Sequence, residues 1–219
     1  MYILGGCIIK ITDYKIEASV NLKIALVADL HDSSCEKIVL AIKRIMPDII
    51  TVAGDFVGKY YLEFFNEITK VAPVFVCLGN HDYGYNRAFL RGNATTLDNC
   101  HCIYNGIYIG GLSTIIDLKW LDNFSKQKGY KILICHHPEY YKKYIKRKNI
   151  NLILSGHAHG GQIRIFGQGI YSPGQGLFPK LTGGVYDGRL VVSRGLGNHA
   201  PFPRVFNETE VVCVNLINK

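Results

Sequence analysis

At 219 residues the chain can bury a sizeable core, and 48% apolar against 19% charged residues excludes a natively disordered protein. The formal net charge of +8 suits an anionic partner, whether a phosphate compound, nucleic acid or acidic lipid, without choosing among them. No apolar run approaches the roughly 20 residues that a membrane-spanning helix needs.

Residues 1–9 are apolar but lack the basic start and cleavage site of an export signal, so they read as part of a first strand. Strand character over 3–11, a turn at Thr12-Asp13 and alternation over 14–20 predict an opening hairpin. Residues 23–28 form a continuous apolar run, as in a strand buried on both faces, and stop at Asp29-Leu30-His31. Ser34 caps a predicted helix whose apolar positions Ile38, Ala41, Ile42 and Ile45 follow helical spacing. A strand over 48–53 ends in Gly54-Asp55, and a helix over 60–71 follows with Leu62, Phe65 and Ile68 on one face. The strand over 73–78 ends in Gly79-Asn80-His81-Asp82.

Two strands, 101–104 and 108–112, precede a helix over 118–127. The strand over 131–135 runs into His136-His137-Pro138, a helix covers 139–148, and the apolar run 151–154 ends in Ser155-Gly156-His157-Ala158-His159. Strands at 163–165, 189–193 and 210–217, separated by glycine-rich loops, complete the chain. No linker or repeat divides it. Strands alternate with helices in the first two thirds and dominate the last third, which predicts one α/β domain over 1–219, with two sheets and helices outside.

Five of these strands end in side chains that bind metals: Asp29 and His31, Asp55, Asn80 and His81, His136, then His157 and His159. Each alone reads equally well as a turn residue, because Asp, Asn and Gly favour turns. All five at strand ends point instead to one crevice outside the carboxyl ends of an open sheet. Carboxylate, amide and imidazole together suit hard-to-borderline divalent ions. Two such ions at roughly 3.5–4 Å clamp a phosphate and generate hydroxide near neutral pH, with Asp55 as the central candidate for a shared ligand.

The order D-x-H, G-D, G-N-H-D, H-H-P, G-H-x-H resembles the calcineurin-like metallophosphoesterase superfamily over nearly the whole chain. The resemblance implies a four-layered αββα sandwich with two mixed β-sheets. It implies one metal held by Asp29, His31, Asp55 and His159, and a second by Asp55, Asn80, His136 and His157. His81 matches the family's non-ligand histidine, which contacts phosphate and protonates the leaving oxygen. The implied activity is hydrolysis of a phosphodiester or pyrophosphate bond through attack by a hydroxide bridging two divalent ions (Mn, Fe or Zn). Phosphomonoester or cyclic-nucleotide hydrolysis at the same site is the alternative, and a non-catalytic binding scaffold a further one. The stretches 159–163, 172–179 and 193–197 resemble the bacterial branch of small phosphodiesterases and UDP-diacylglucosamine pyrophosphohydrolase-like enzymes. That implies a small phosphate ester or a lipid-linked substrate. The segment 82–131 is short for that branch.

Other residues carry weaker signals. Arg194 can offer a bidentate fork to phosphate or form a structural salt bridge. Asp82 closes a turn or orients His81, and His137 reads as a strand-end residue with its own hydrogen bond. His101 and His199 fall outside the motif set. The basic stretch 140–148 is a solvated helix face or a peripheral contact with anionic membrane. No basic-aromatic groove supports a nucleic-acid partner. The seven cysteines are an odd number without a C-x-x-C pair; Cys77 and Cys135 sit in apolar strands, and Cys100-His101-Cys102 reads as strand. The expectation is a reduced, cytoplasmic protein.

Overall fold

The computed structural model describes residues 9–83, 94–198 and 200–218. Its first nine strands are β1 (Lys10–Ala18), β2 (Leu22–Val27), β3 (Ile49–Ala53), β4 (Val74–Cys77), β5 (Thr95–Leu97), β6 (Cys100–Tyr104), β7 (Ile107–Leu112), β8 (Lys131–Cys135) and β9 (Leu152–Ser155). Two short hairpins follow, β10 (Arg164–Ile165) with β11 (Gln168–Gly169) and β12 (Tyr171–Ser172) with β13 (Gly176–Leu177). The last strands are β14 (Gly184–Tyr186), β15 (Leu190–Val192) and β16 (Glu210–Asn218). The helices are α1 (Cys35–Ile45), α2 (Tyr61–Ile68) and α3 (Leu118–Ser125).

One sheet runs β1-β16-β2-β3-β4-β5 and the other β14-β15-β9-β8-β7-β6. Both are mixed: β2 to β5 are parallel, with β16 antiparallel to β2, while β7, β8, β9 and β15 are parallel, with β6 and β14 antiparallel at the edges. Alternation along β2 explains the layering. Ile24 and Leu26 face the second sheet, packing with Ile134 and Leu154, while Ala25 and Val27 face α1 and α2. A third cluster packs Leu133, Ile153 and Val192 against Leu121 and Phe124 of α3. The result is the four-layered αββα sandwich, in which each fully buried Leu or Ile contributes about 1.5–3 kcal/mol.

Several expectations change. The opening is not a hairpin: β1 runs unbroken through Thr12 and Asp13, in parallel register with β16 from Lys10↔Glu210 to Ala18↔Asn218. Pairing with a distant strand overrides the local turn signal, and residues 1–8 lie outside the described residues. On α2 the buried residues are Phe64, Phe65 and Ile68, and Leu62 is exposed, because the larger aromatic ring takes the core position. The stretch expected as a helix over 139–148 holds one wide π-type turn, Tyr141–Ile145, whose Tyr141 and Ile145 are buried. Strands β5 and β14, three residues each, carried no pattern long enough to read. The short 82–131 segment includes residues 84–93, which lie outside the described residues. Among the described residues no helix is long and apolar enough to cross a membrane, and six cysteines are free thiols.

Candidate metal centre

The turns that follow β2, β3, β4, β8 and β9 meet at one edge of the sandwich. Asp29, His31, Asp55, His157 and His159 all adopt left-handed backbone angles, with φ between 45° and 64°. For residues with a Cβ this costs on the order of 1 kcal/mol each, and such strain concentrates at functional sites. Cross-turn hydrogen bonds hold it: Asp29 N–H donates to the Gly54 carbonyl (3.0 Å), His31 N–H to the Asp55 carbonyl (3.2 Å) and Gly156 N–H to the His136 carbonyl (3.1 Å). Two glycines make the approach possible. A Cβ on Gly54 would lie 2.7 Å from the Gly79 Cα, and one on Gly79 would collide with Asp55 Oδ1.

Asp82 ties the β3 and β4 turns together. Its buried carboxylate accepts from the backbone N–H of Asp55 and Gly79 (2.7 Å each), Phe56 (3.0 Å) and Val57 (3.2 Å). Burial pushes its pKa up to about 6 against these bonds, so it is anionic at neutral pH. This is the turn-closing role, extended across two turns.

Two sets of side chains result. Asp29, His31 and His159 present ligand atoms within 4.8 Å of one another, and so do Asp55, His136 and His157. His136 Nδ1 meets the Ala53 carbonyl at 2.7 Å, so Nδ1 carries the proton there and Nε2 turns to Asp55 Oδ2 (3.2 Å) and His157 Nδ1 (3.1 Å). The His31 and His159 rings stack at 5.3 Å, and His159 Nε2 lies 3.6 Å from Asp29 Oδ1. Both Asp29 carboxylate oxygens accept from His157 N–H at 3.1 Å, which links the sets.

The electrostatics favour a cation. Burial acts to raise the Asp55 carboxyl pKa, but the hydrogen bond and charge of His136 outweigh it and hold the group below the usual carboxylate range. Burial likewise acts to lower His136, and Asp55 reverses this and raises it. His157 is pushed down to about 2 by burial and then by His136 and His137, and His159 is lowered chiefly by burial. A carboxylate, a neutral imidazole and one shared proton thus converge on a dry point, where a divalent ion would be held in place of the proton. Two sets of one carboxylate and two imidazoles fit Mn, Fe or Zn.

Asn80 and His81 are exposed and line a cavity of about 250 Å³ with Asp55, His157 and His159 at its base. His81 N–H donates to Asp55 Oδ1 (2.9 Å), and its ring lies 5.7 Å from that of His31. The cavity's other walls include Tyr171, Pro173 and Phe202. Arg194 is not among the lining residues. It pairs with Glu210 at 2.6 Å and also gives that carboxylate its backbone N–H (2.9 Å), the structural salt bridge of the two alternatives. His137 has its own partner, Glu139 (3.0 Å), and packs 4.2 Å from the His157 ring; with His157 the two form a third set of close ligand atoms. His101 packs on Tyr108, Trp120 and Phe124, and His199 lies outside the described residues.

Two contributors carried no readable signal. Arg204 brings Nη2 to 3.3 Å from His159 Nδ1 and donates to the Gly197 and Arg194 carbonyls (2.6 and 2.7 Å). Asn207 Nδ2 donates to the His159 carbonyl (2.7 Å). Both sit in the loop before β16, where no spacing relates them to the histidine turn.

The family model for calcineurin-like phosphoesterases matches residues 22–161, the span holding every one of these ligand candidates. The chain belongs to that family. An uncharacterized metallophosphoesterase of Campylobacter jejuni is 31% identical over 91% of the chain and 60% of that protein's length. One of Aquifex aeolicus is 28% identical over 94% of the chain and 88% of that protein. The UDP-2,3-diacylglucosamine pyrophosphatase of Chlamydia muridarum is 24% identical over 81% and 78%. The chain therefore spans less than two thirds of the Campylobacter protein but most of the other two.

Proposed function

We propose that this phosphoesterase hydrolyses phosphodiester or pyrophosphate bonds with two divalent cations, Mn, Fe or Zn. The observation that carries the reading is the pair of carboxylate–imidazole sets, joined by Asp29 to His157 and opening on one cavity. Asp29, His31 and His159 would hold one ion, and His136, His157 and Asn80 the other, with Asp55 shared. When bound, the ions would supply Lewis-acid stabilisation of phosphoryl oxygens and a strong nucleophile near neutral pH.

The chain's own residues divide the remaining work. Asn80 offers an amide to a phosphoryl oxygen. His81 stands at the exposed rim, fixed through its backbone N–H on Asp55, and donates the proton to the departing oxygen. Tyr171, Pro173 and Phe202 wall the cavity with largely apolar surface. Those walls favour a substrate with an apolar portion, such as a lipid-linked diphosphate, the class named for the Chlamydia relative.

The test is hydrolysis of a phosphomonoester, a soluble chromogenic phosphodiester and a nucleoside-diphosphate lipid by protein loaded with Mn, Fe or Zn. Turnover of the diester or diphosphate above the monoester is expected. Exclusive monoester turnover, or none with any metal, would refute the reading.

A further inference from the structure

The cavity mouth continues into an unusually apolar surface. Phe166 caps the β10–β11 hairpin and is fully exposed, and Phe206 is 85% exposed. Leu177 and Phe178, at the end of the β12–β13 hairpin, are 69% and 66% exposed. Solvated loops rarely carry such residues together, and a contiguous apolar patch of this kind marks an interaction surface.

Backbone pairing sets the segments that carry these residues side by side. Ile163 bridges Val205, and Arg164 N–H donates to the Val205 carbonyl at 3.0 Å, which sets the Phe166 hairpin beside the segment carrying Phe206. Leu177 stands opposite Tyr171, a cavity wall, and Phe178 N–H donates to the Ile170 carbonyl at 2.8 Å. Positive charge flanks it. Phe178 shares a shallow groove with Lys142 and Lys180, both exposed, and with Glu139, whose carboxylate is paired with His137 at 3.0 Å; Lys142 belongs to the basic stretch 140–148. The acidic neighbour of Phe206, Glu208, is paired with Lys10 at 3.0 Å.

We infer that this face docks on an anionic bilayer, with Phe166, Phe178 and Phe206 entering the interface and Lys142 and Lys180 meeting lipid phosphates. Exposed aromatic and leucine side chains on two hairpins and the loop before β16, bordered by lysines, combine the apolar burial and electrostatic attraction that hold peripheral proteins on membranes. The basic stretch alone is a solvated surface; beside the hairpins it becomes the charged border of an insertion surface. Docking would set the cavity mouth at the lipid headgroups, so the inference rests on the proposed hydrolase reading for its purpose but not for its geometry.

The test compares the wild-type chain with a Phe166→Gln/Phe206→Gln variant, which changes no cavity-lining residue. Co-sedimentation is measured with phosphatidylcholine vesicles and with phosphatidylcholine–phosphatidylglycerol vesicles at about three to one. Wild type is expected to pellet with the anionic vesicles and much less with the neutral ones. The variant should lose on the order of tenfold in partitioning per phenylalanine, with circular dichroism and soluble-diester turnover unchanged. Lysine replacement, Lys142→Gln/Lys180→Gln, should remove the preference for anionic lipid. Wild type that ignores both vesicles, or a phenylalanine variant that partitions equally, overturns the inference. So does a wild-type dimer that the variant dissolves, which would make the face a contact between copies. Vesicle binding without hydrolysis of any substrate would refute the function and leave docking intact.

Discussion

Replacing Asp82 with alanine is the most quantitative probe of how the centre is assembled. The substitution removes the acceptor for four backbone N–H groups, those of Asp55, Phe56, Val57 and Gly79. Asp82 is 1% exposed, so solvent does not replace the carboxylate freely. A stranded buried donor costs about 1–3 kcal/mol, and the low end of that range for four donors gives a loss of about 4 kcal/mol. That equals about a thousandfold in the ratio of folded to unfolded chain. In urea unfolding with an m-value of about 2 kcal/mol/M, the midpoint should fall by about 2 M. Asp82→Asn should lie between the two, because it keeps one acceptor oxygen and turns an amide nitrogen toward two donors. An alanine variant whose midpoint stays within about 0.3 M of wild type at the same m-value would refute the reasoning.

The remaining expectations concern the metals and the rim. Asp55→Asn should reduce the bound content of both ions together, measured by elemental analysis after dialysis; full content with full turnover would remove Asp55 from its shared position. His81→Ala should retain metal and lose on the order of 10²–10⁴ in kcat, most for substrates with poor leaving groups, and an equal loss for good and poor ones would argue against proton donation. In Gly79→Ala the new Cβ runs into Asp55 Oδ1, so metal affinity should fall on the order of 10–100-fold while the far-ultraviolet dichroism is kept; calorimetric titration with Mn reads this directly.

The sequence disclosed the site's inventory better than its geometry. Apolar runs closing on Asp29, Asp55, Asn80, His136 and His157 are visible because a doubly buried strand has few polar residues, so those at its tip stand out. The left-handed angles at Asp29, His31, Asp55, His157 and His159 are not visible, since they depend on hydrogen bonds from other turns. Arg204 and Asn207 reach His159 through tertiary folding of a loop with no periodicity. Asp82 belongs to the G-N-H-D motif and reads as a turn residue, yet three of its four partners lie on the preceding turn. For the fold, local rules failed where distant pairing or packing competed, as in β1 through Thr12-Asp13 and in Phe64 displacing Leu62.

The position of β16 constrains how the protein is made. It lies between β1 and β2, parallel to one and antiparallel to the other, and its neighbouring loop carries Arg204 and Asn207 to the histidine turn. A nascent chain therefore reaches the ribosome exit with β1 unpaired and one edge of β2 open until residues 210–218 have been synthesised. Such long-range closure folds slowly and leaves strand edges exposed to wrong partners in the interval. Before that closure the histidine turn lacks its contacts with Arg204 and Asn207, so truncation within β16 should leave His159 unsupported and the sheet edges prone to aggregation.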